Sequence, residues 1–549
     1  MSISSLCRRS PSRARGVRTN TSFTYHNLQQ GDTTLTPATD TSTANAQASA
    51  RAPSTHHASP HRRPLLVLLV LTLVCAPLFR AGQDPLSLLG LQLLAIGLLG
   101  LSLWHPSRLE LRSTEWLALG LLFLFPTLYL IDVPSGLLGA IPGYQPYRAI
   151  LELLSPGQAG ASLSLIKLTT QMAWLVLLVP IAVYLGTRGL SERAHLHLIS
   201  LLLGLATFEA TLGLIQYGAA QGGVMLFGID LSEAGASGTF PNRNHLAGLL
   251  NMALPITLAL LLYYLGRDRG DNKEGWRKRV SFFASLRGHT ALLYGALAIL
   301  LVLGIIFSRS RAGIALAILG ILLTTSLFAR RIGGDNVFGT SGTVVAIIIA
   351  IAISIGLAPV LDRFALGGVQ EDARWPILSA AMDGLAAFLP LGSGPGTFPA
   401  VFPAYQPQEL GAWFINRAHN DYIEWVFDGG IPAALLILFL LGLYVHQWTR
   451  IYSRDRWSRY RFVQVAAGIG LLLLLLHEFF DYNLHTPANL VVFAFLAGVF
   501  FSPPGQVESG PSRRRQRRRT PNLTAGTTLA QPGAPIGQPT PDQIPNPFL

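Results

Sequence analysis

RWPILSAAMDGLAAFLPLGSGPGTFPAVFPAYQPQELGAWFINRAHNDYIEWVFDGGIP, residues 374–432, is the one long, mostly polar stretch set between strongly apolar segments. It gathers Arg374 and Trp375, glycines at 392, 394 and 396, several aromatics and the tetrapeptide His419-Asn420-Asp421-Tyr422. The segments around it are apolar runs long enough to cross a bilayer, which takes about 20 residues at about 1.5 Å rise each. The stretch therefore reads as a loop that a helical membrane scaffold holds at one face of the bilayer.

Composition agrees with that scaffold. The 549 residues are 50% hydrophobic and 13% charged, with mean hydropathy +0.42, where a soluble chain carries roughly a quarter charged residues. Apolar spans are expected at 65–79, 86–104, 116–131, 165–185, 196–215, 246–265, 291–307, 312–328, 344–361, 431–445, 463–480 and 488–501. The expected fold is all-α: a polytopic membrane protein of about 12 transmembrane helices, with a long extracytoplasmic loop between helices 9 and 10.

Residues 1–63 are rich in Ser, Thr, Ala and Arg and poor in large apolar residues. They cannot bury enough surface to offset their ordering entropy and are expected to be a disordered cytoplasmic tail. The basic segment 503–549, with RRRQRRR at 513–519, reads the same way, leaving 64–502 as the membrane domain. The net charge of +13 collects in these tails and in alternate loops. Those loops hold Arg108 and Arg112, Arg188 and Arg193, the basic cluster from Arg267 to Arg287, Arg330 and Arg331, and the run from Arg450 to Arg461. Topology and anionic membrane lipids explain such a pattern, and nucleic acid is not needed as a partner. The positive-inside rule puts both termini in the cytoplasm and the 362–430 loop outside. The two cysteines, Cys7 and Cys75, indicate neither a disulfide framework nor a metal site.

Four constellations carry candidate chemistry. In the loop, a neutral His419 imidazole suits the removal of a proton from a hydroxyl. Arg374 offers a planar donor fork suited to phosphate oxygens. The neighbouring Phe398, Phe402, Tyr405, Trp413 and Phe414 read as sugar- or lipid-facing, although aromatics gather at membrane interfaces regardless of function. The second constellation, Ser308-Arg309-Ser310-Arg311, places arginines on the side where basic residues are scarce, an arrangement that either binds an anion or snorkels. The third, SGTFPNRNH at 237–245, opens an apolar span with polar side chains at a helix N-terminus; Glu209 and Gln216 precede it on one helical face. The fourth is His477-Glu478 followed by Asp481-Tyr482-Asn483-Leu484-His485, whose spacing matches no strong metal pattern. GSGPG at 392–396 lacks the Lys-Ser/Thr of a phosphate-binding loop and reads as a turn.

At these residues the chain resembles the O-antigen ligase family, which includes related surface-polysaccharide polymerases and pilin oligosaccharyltransferases. The matching pieces are SGTFPNRNHLAGLLNMALP, FSRSRAG, ARWPILSAAM, PLGSGPGTF and AHNDYIEWVFDGGIP, within a core of about 209–501. The resemblance implies a cofactor- and metal-independent glycosyltransferase of the bacterial inner (cytoplasmic) membrane with a periplasmic active loop. Its donor would be an undecaprenyl-diphosphate-linked glycan; its acceptor would be lipid A-core, a polysaccharide or a protein hydroxyl. Carried over by motif, His419 would be the base, and Arg374 and Arg311 would hold the diphosphate. Arg309, Arg243, Asn244, Asn420 and Tyr422 would bind substrate. A secondary transporter of a small anion is the competing reading. Inverted repeats and polar groups at mid-membrane, which would favour it, are not seen in the sequence.

Overall fold

The computed structural model describes residues 62–104, 106, 109–154, 160–219, 235–266, 281–332, 346, 350, 374–452 and 457–503. These are helical almost throughout. Apart from turns and irregular connections, the non-helical structure is a pair of short antiparallel strands, Asp132–Pro134 and Gly160–Ser162, with Asp132 opposite Ser162. The helices of ten residues or more, in chain order, are α1 (Arg62–Leu78), α2 (Pro85–Leu103), α3 (Ser113–Leu128), α4 (Gln145–Leu154), α5 (Lys167–Arg188), α6 (Glu192–Ala219) and α7 (Arg243–Leu265). They continue with α8 (Leu286–Phe307), α9 (Arg311–Ile332), α10 (Arg374–Phe388), α11 (Asp421–Ile451), α12 (Arg459–His477) and α13 (Pro487–Phe501). Among the described residues eight helices are long and apolar enough to cross a membrane, and α1, α3 and α13 are shorter apolar helices. Together they carry every expected span except 344–361, which lies outside the described residues apart from positions 346 and 350.

Two helices form the centre. The apolar window of α7 is 94% buried and that of α12 83% buried, against at most half for the other long helices. A helix apolar on all sides must be enclosed by others or by lipid, and these two are enclosed by protein. Glycine makes their close approach possible: a Cβ at Gly470 on α12 would stand 2.7 Å from the Met252 carbonyl oxygen on α7. Contact through small residues is the usual way helices pack where lipid removes the hydrophobic drive to associate.

Over 374–430 the chain is more regular than the loop expected from its polarity. Ile377, Ala380, Ala381, Gly384 and Phe388 recur at helical spacing and bury one face of α10. Pro376 falls in the first turn, where its missing N–H is harmless. Asn420 caps α11, its Oδ1 accepting from the Ile423 N–H at 3.1 Å. That helix runs 31 residues and is broken at Gly430, whose φ of +55° a side-chain-bearing residue rarely adopts.

The 392–396 turn packs against this break. Gly394 N–H donates to the Asp428 carbonyl at 2.7 Å, and Gly396 N–H donates to Asp428 Oδ2 at 2.7 Å. A Cβ at Gly392 would sit 2.5 Å from the Asp428 carbonyl oxygen, and one at Gly430 would sit 2.2 Å from that of Pro390. The GSGPG and DGG motifs are thus two halves of one backbone-to-backbone contact. Beneath it, Tyr144, Phe388, Phe398, Phe402 and Phe427 form a buried cluster. This corrects the reading of Phe398 and Phe402 as substrate-facing: they stack on each other with centroids 4.9 Å apart, fully buried. Trp375, Trp413 and Phe414 are exposed.

Candidate active site

Asp481 lies between α12 and α13, in a segment held in shape by its own hydrogen bonds. Glu478 Oε2 accepts from the N–H groups of Asn483 at 2.8 Å and Leu484 at 3.4 Å, and the His477 carbonyl accepts from Asp481 N–H at 3.1 Å. The Asp481 side chain is 1% exposed. A carboxylate so buried needs partners, and four side chains from three other parts of the chain supply them. Asn244 Nδ2 donates to Oδ2 at 2.5 Å. Arg374 Nη2 stands 3.7 Å from Oδ2, and His245 Nε2 and His419 Nδ1 each stand 3.7 Å from Oδ1. Burial alone would raise the Asp481 carboxyl. The two histidines outweigh it and hold the group well below the usual carboxylate range. Asp481 is therefore ionised across the working pH range.

Each partner is aimed by local structure. Asn242 caps α7 through Oδ1, which accepts from Asn244 N–H at 2.8 Å, so Asn244 and His245 occupy the first turn, whose positive dipole end favours a carboxylate. His245 is fixed on its other side by Thr486 Oγ1, 2.7 Å from Nδ1. Arg374 begins α10. His419 precedes the Asn420 cap in a left-handed conformation, φ +52°, a strain of about 1–3 kcal/mol that persists only where the surroundings over-determine it. Its ring meets Tyr482 edge-on at 5.0 Å between centroids, and Tyr482 meets His245 likewise at 4.7 Å. The Arg374 and His419 side chains are 33% and 27% exposed. An open imidazole and an open guanidinium thus share one closed anion.

A second polar cluster adjoins the first. Arg417 Nη1 donates to Glu424 Oε1 at 2.7 Å. His485 lies between Asp421 Oδ1, 2.8 Å from Nδ1, and Glu424 Oε1, 3.3 Å from Nε2. Burial, and then Asp421, push the Glu478 carboxyl well above its usual range, so it stays protonated beside Asp421. For His485, burial and Arg417 favour the neutral ring, but Asp421 and Glu424 prevail and its pKa is raised above 6.5. A raised histidine contributes stability that is full below about 6.5, the unfolded value, and is lost as pH climbs through the folded one. Thermal unfolding in detergent should therefore shift to lower temperature as pH rises above that point, and His485→Asn should flatten the dependence.

The residues expected from sequence divide. Arg374, His419 and Asn244 converge on Asp481. Asn420 uses both ends of its amide within the protein: its Oδ1 caps α11 and its Nδ2 donates to the Phe479 carbonyl at 3.1 Å. Tyr422 spends its hydroxyl on the Leu475 carbonyl at 2.7 Å. Arg243 is the first residue of α7.

Arg309 and Arg311 flank Ser310 at the α8–α9 junction. There Ser310 Oγ accepts from Gly313 N–H at 3.1 Å and Arg309 is left-handed at φ +58°. The junction packs on the same first turns of α7 that carry His245. Asn251 Nδ2 donates to the Gly313 carbonyl at 3.0 Å, and a Cβ on Gly313 would lie 2.7 Å from that of Ala247. Glu209 and Gln216 are structural: they hold Thr239 and Gly238, the turn leading into α7.

Asp481 and His485, both within 477–485, serve different clusters. Among the described residues no three His, Cys, Asp or Glu side chains are grouped to hold a metal. Asp481 and His245 complete this cluster, and sequence reasoning assigned them no individual role beyond their place in the 477–485 and 237–245 constellations. The available signal was a dense polar run, HEFFDYNLH, closing an otherwise apolar span.

Residues 296–438 match the family described as O-antigen ligase. The match contains Arg309, Arg311, Arg374 and His419 and stops before Asp481. A comparison with curated proteins gives no match.

Proposed function

We propose that this chain, whose residues 296–438 match the O-antigen ligase family, transfers a glycan from undecaprenyl diphosphate to an acceptor hydroxyl. The single observation that carries this reading is the sharing of ionised Asp481 by His419 and Arg374 at 3.7 Å each. His419 turns Nδ1 toward the carboxylate, which leaves Nε2 to take the proton of the acceptor hydroxyl. Asp481 orients the ring and stabilises the imidazolium that forms, as a carboxylate does behind any catalytic imidazole. The acceptor oxygen bonds to the anomeric carbon while the bond from that carbon to the phosphate oxygen breaks, and undecaprenyl diphosphate leaves. Negative charge grows on the leaving oxygen, where Arg374, with Arg311 or Arg309 from the neighbouring junction, offsets it. A diphosphate is already a good leaving group, so positioning, a base and fixed positive charge suffice without a metal.

The positive-inside rule applied to the basic loops supports a reading with the termini cytoplasmic and this site periplasmic, in the bacterial inner membrane. The family domain favours transfer over transport of a small anion. The acceptor would be lipid A-core, a growing polysaccharide or a protein.

The test is reconstitution: purified protein, an undecaprenyl-diphosphate-linked glycan and candidate acceptors, with released undecaprenyl diphosphate as readout. Arg374→Lys keeps the charge but loses the bidentate fork and should slow release by about 10²-fold; a near-normal rate would remove that contact. Deleting the gene separates the branches. Lipid-linked long chains left unattached indicate a ligase, single repeat units indicate a polymerase, and unchanged surface glycan would contradict both.

A further inference from the structure

A cavity of about 880 Å³ lies between α3, α5, α11 and α13. Its wall follows α5 from Leu168 to Tyr184, about 24 Å at helical rise, and so runs through most of a hydrocarbon core's thickness. Leu122, Met172, Val176, Leu440 and Phe493 line its length. Leu168 and Met172 are more than half exposed, so the cavity opens sideways, toward the space that lipid fills. One end is closed by Glu115 and Tyr184, bonded to each other at 3.0 Å. The other end is the polar cluster of Arg417, Asp421, Glu478 and His485.

Three features define an occupant. An apolar space open to the bilayer takes a hydrocarbon chain in preference to water or a free sugar. At about 880 Å³ it lies at the upper end of the roughly 300–1,000 Å³ range of ligand pockets, room for the chains of a lipid rather than for a small solute. The polar end balances its signs: Arg417 and His485 stand against Asp421 and Glu424, with ion-pair contacts of 2.7–3.3 Å. A diphosphate would meet as many anions as cations there. A head carrying both an ammonium and a phosphate meets a partner for each, with the Asp421 carboxylate for the ammonium and the remaining guanidinium donors of Arg417 for the phosphate.

We propose that this cavity binds one zwitterionic phospholipid of the bilayer, chains between α3, α5, α11 and α13 and head at the Arg417–Glu424–His485–Asp421 cluster. Tyr482 lines the same cavity and touches the rings of both His419 and His245. The lipid head is therefore seated one side chain from the imidazole. An occupied cavity supports the N-terminal turns of α11 and, through them, the strained backbone of His419.

The test is native mass spectrometry of the full-length protein in mild detergent, stripped of lipid and then offered vesicles of phosphatidylethanolamine, phosphatidylglycerol or undecaprenyl diphosphate. The wild type should retain one phosphatidylethanolamine. Met172→Trp and Leu122→Trp, which fill the cavity, should lower retention at least tenfold. Leu293→Trp, on an exposed face of α8, should leave it unchanged. If either filling variant is not monodisperse, Val176→Phe carries the same expectation. Retention unaffected by filling, preference for phosphatidylglycerol or undecaprenyl diphosphate, or no retained lipid would overturn the proposal. No glycan donor is present, so failure here is distinct from failure of the transfer reaction.

Discussion

His419→Asn should lower glycan transfer by about 10²–10⁴-fold, the range a positioned general base supplies, with the protein present at its normal level. Asparagine is chosen because the backbone at 419 is left-handed. Among side-chain-bearing residues it tolerates that conformation well, so the substitution removes the base without adding strain. Its amide still reaches toward Asp481 but takes no proton from a hydroxyl. Alanine would confound the two effects, since a Cβ without a compensating polar group is strained at this φ. Transfer within about tenfold of wild type, measured against equal amounts of folded protein, would take His419 out of the base role.

Asp481→Asn should be nearly as severe, on the order of 10²–10⁴-fold. The substitution keeps the shape of the side chain and an acceptor for Asn244 Nδ2, but it removes the charge that Arg374, His245 and His419 share. The imidazolium then loses its stabilising partner, and the guanidinium loses the anion that aims it. Asp481→Ala separates stability from catalysis: breaking a buried ion pair from one side costs about 3–5 kcal/mol, so the alanine variant should also unfold at lower temperature. If Asp481→Asn transferred at the wild-type rate, the carboxylate would be a packing element only. The shared contact would then be structural.

The apolar runs made the membrane helices legible, because length and hydropathy alone decide whether a segment can cross a bilayer. The stretch 374–430 was harder. Its polar residues and glycines suggested a loop, yet Ile377, Ala381, Gly384 and Phe388 bury one face of a helix. The Gly-rich turn is packed by Asp428 rather than open. Aromatic side chains gave no guide to which face they would take, and Phe398 and Phe402 proved to be core.

Arg374 and His419 were legible because their motifs carry them. Asp481 was not, because it lies beyond the long helix α11 and the central helix α12, and because its role depends on α7 bringing Asn244 and His245 to it. No periodicity in the sequence encodes that meeting. The α8–α9 arginines remain legible as a pair rather than as individuals: Arg309 takes the turn conformation and Arg311 opens the helix.

The most direct measurement of the central claim is chemical rescue. His419→Gly keeps the left-handed backbone without strain and leaves a ring-sized gap beside Asp481. Transfer by this variant should be nearly abolished and should return in proportion to added imidazole, while a non-basic azole of the same size restores nothing. Undiminished transfer by His419→Gly without any additive would contradict the assignment of the proton to this imidazole.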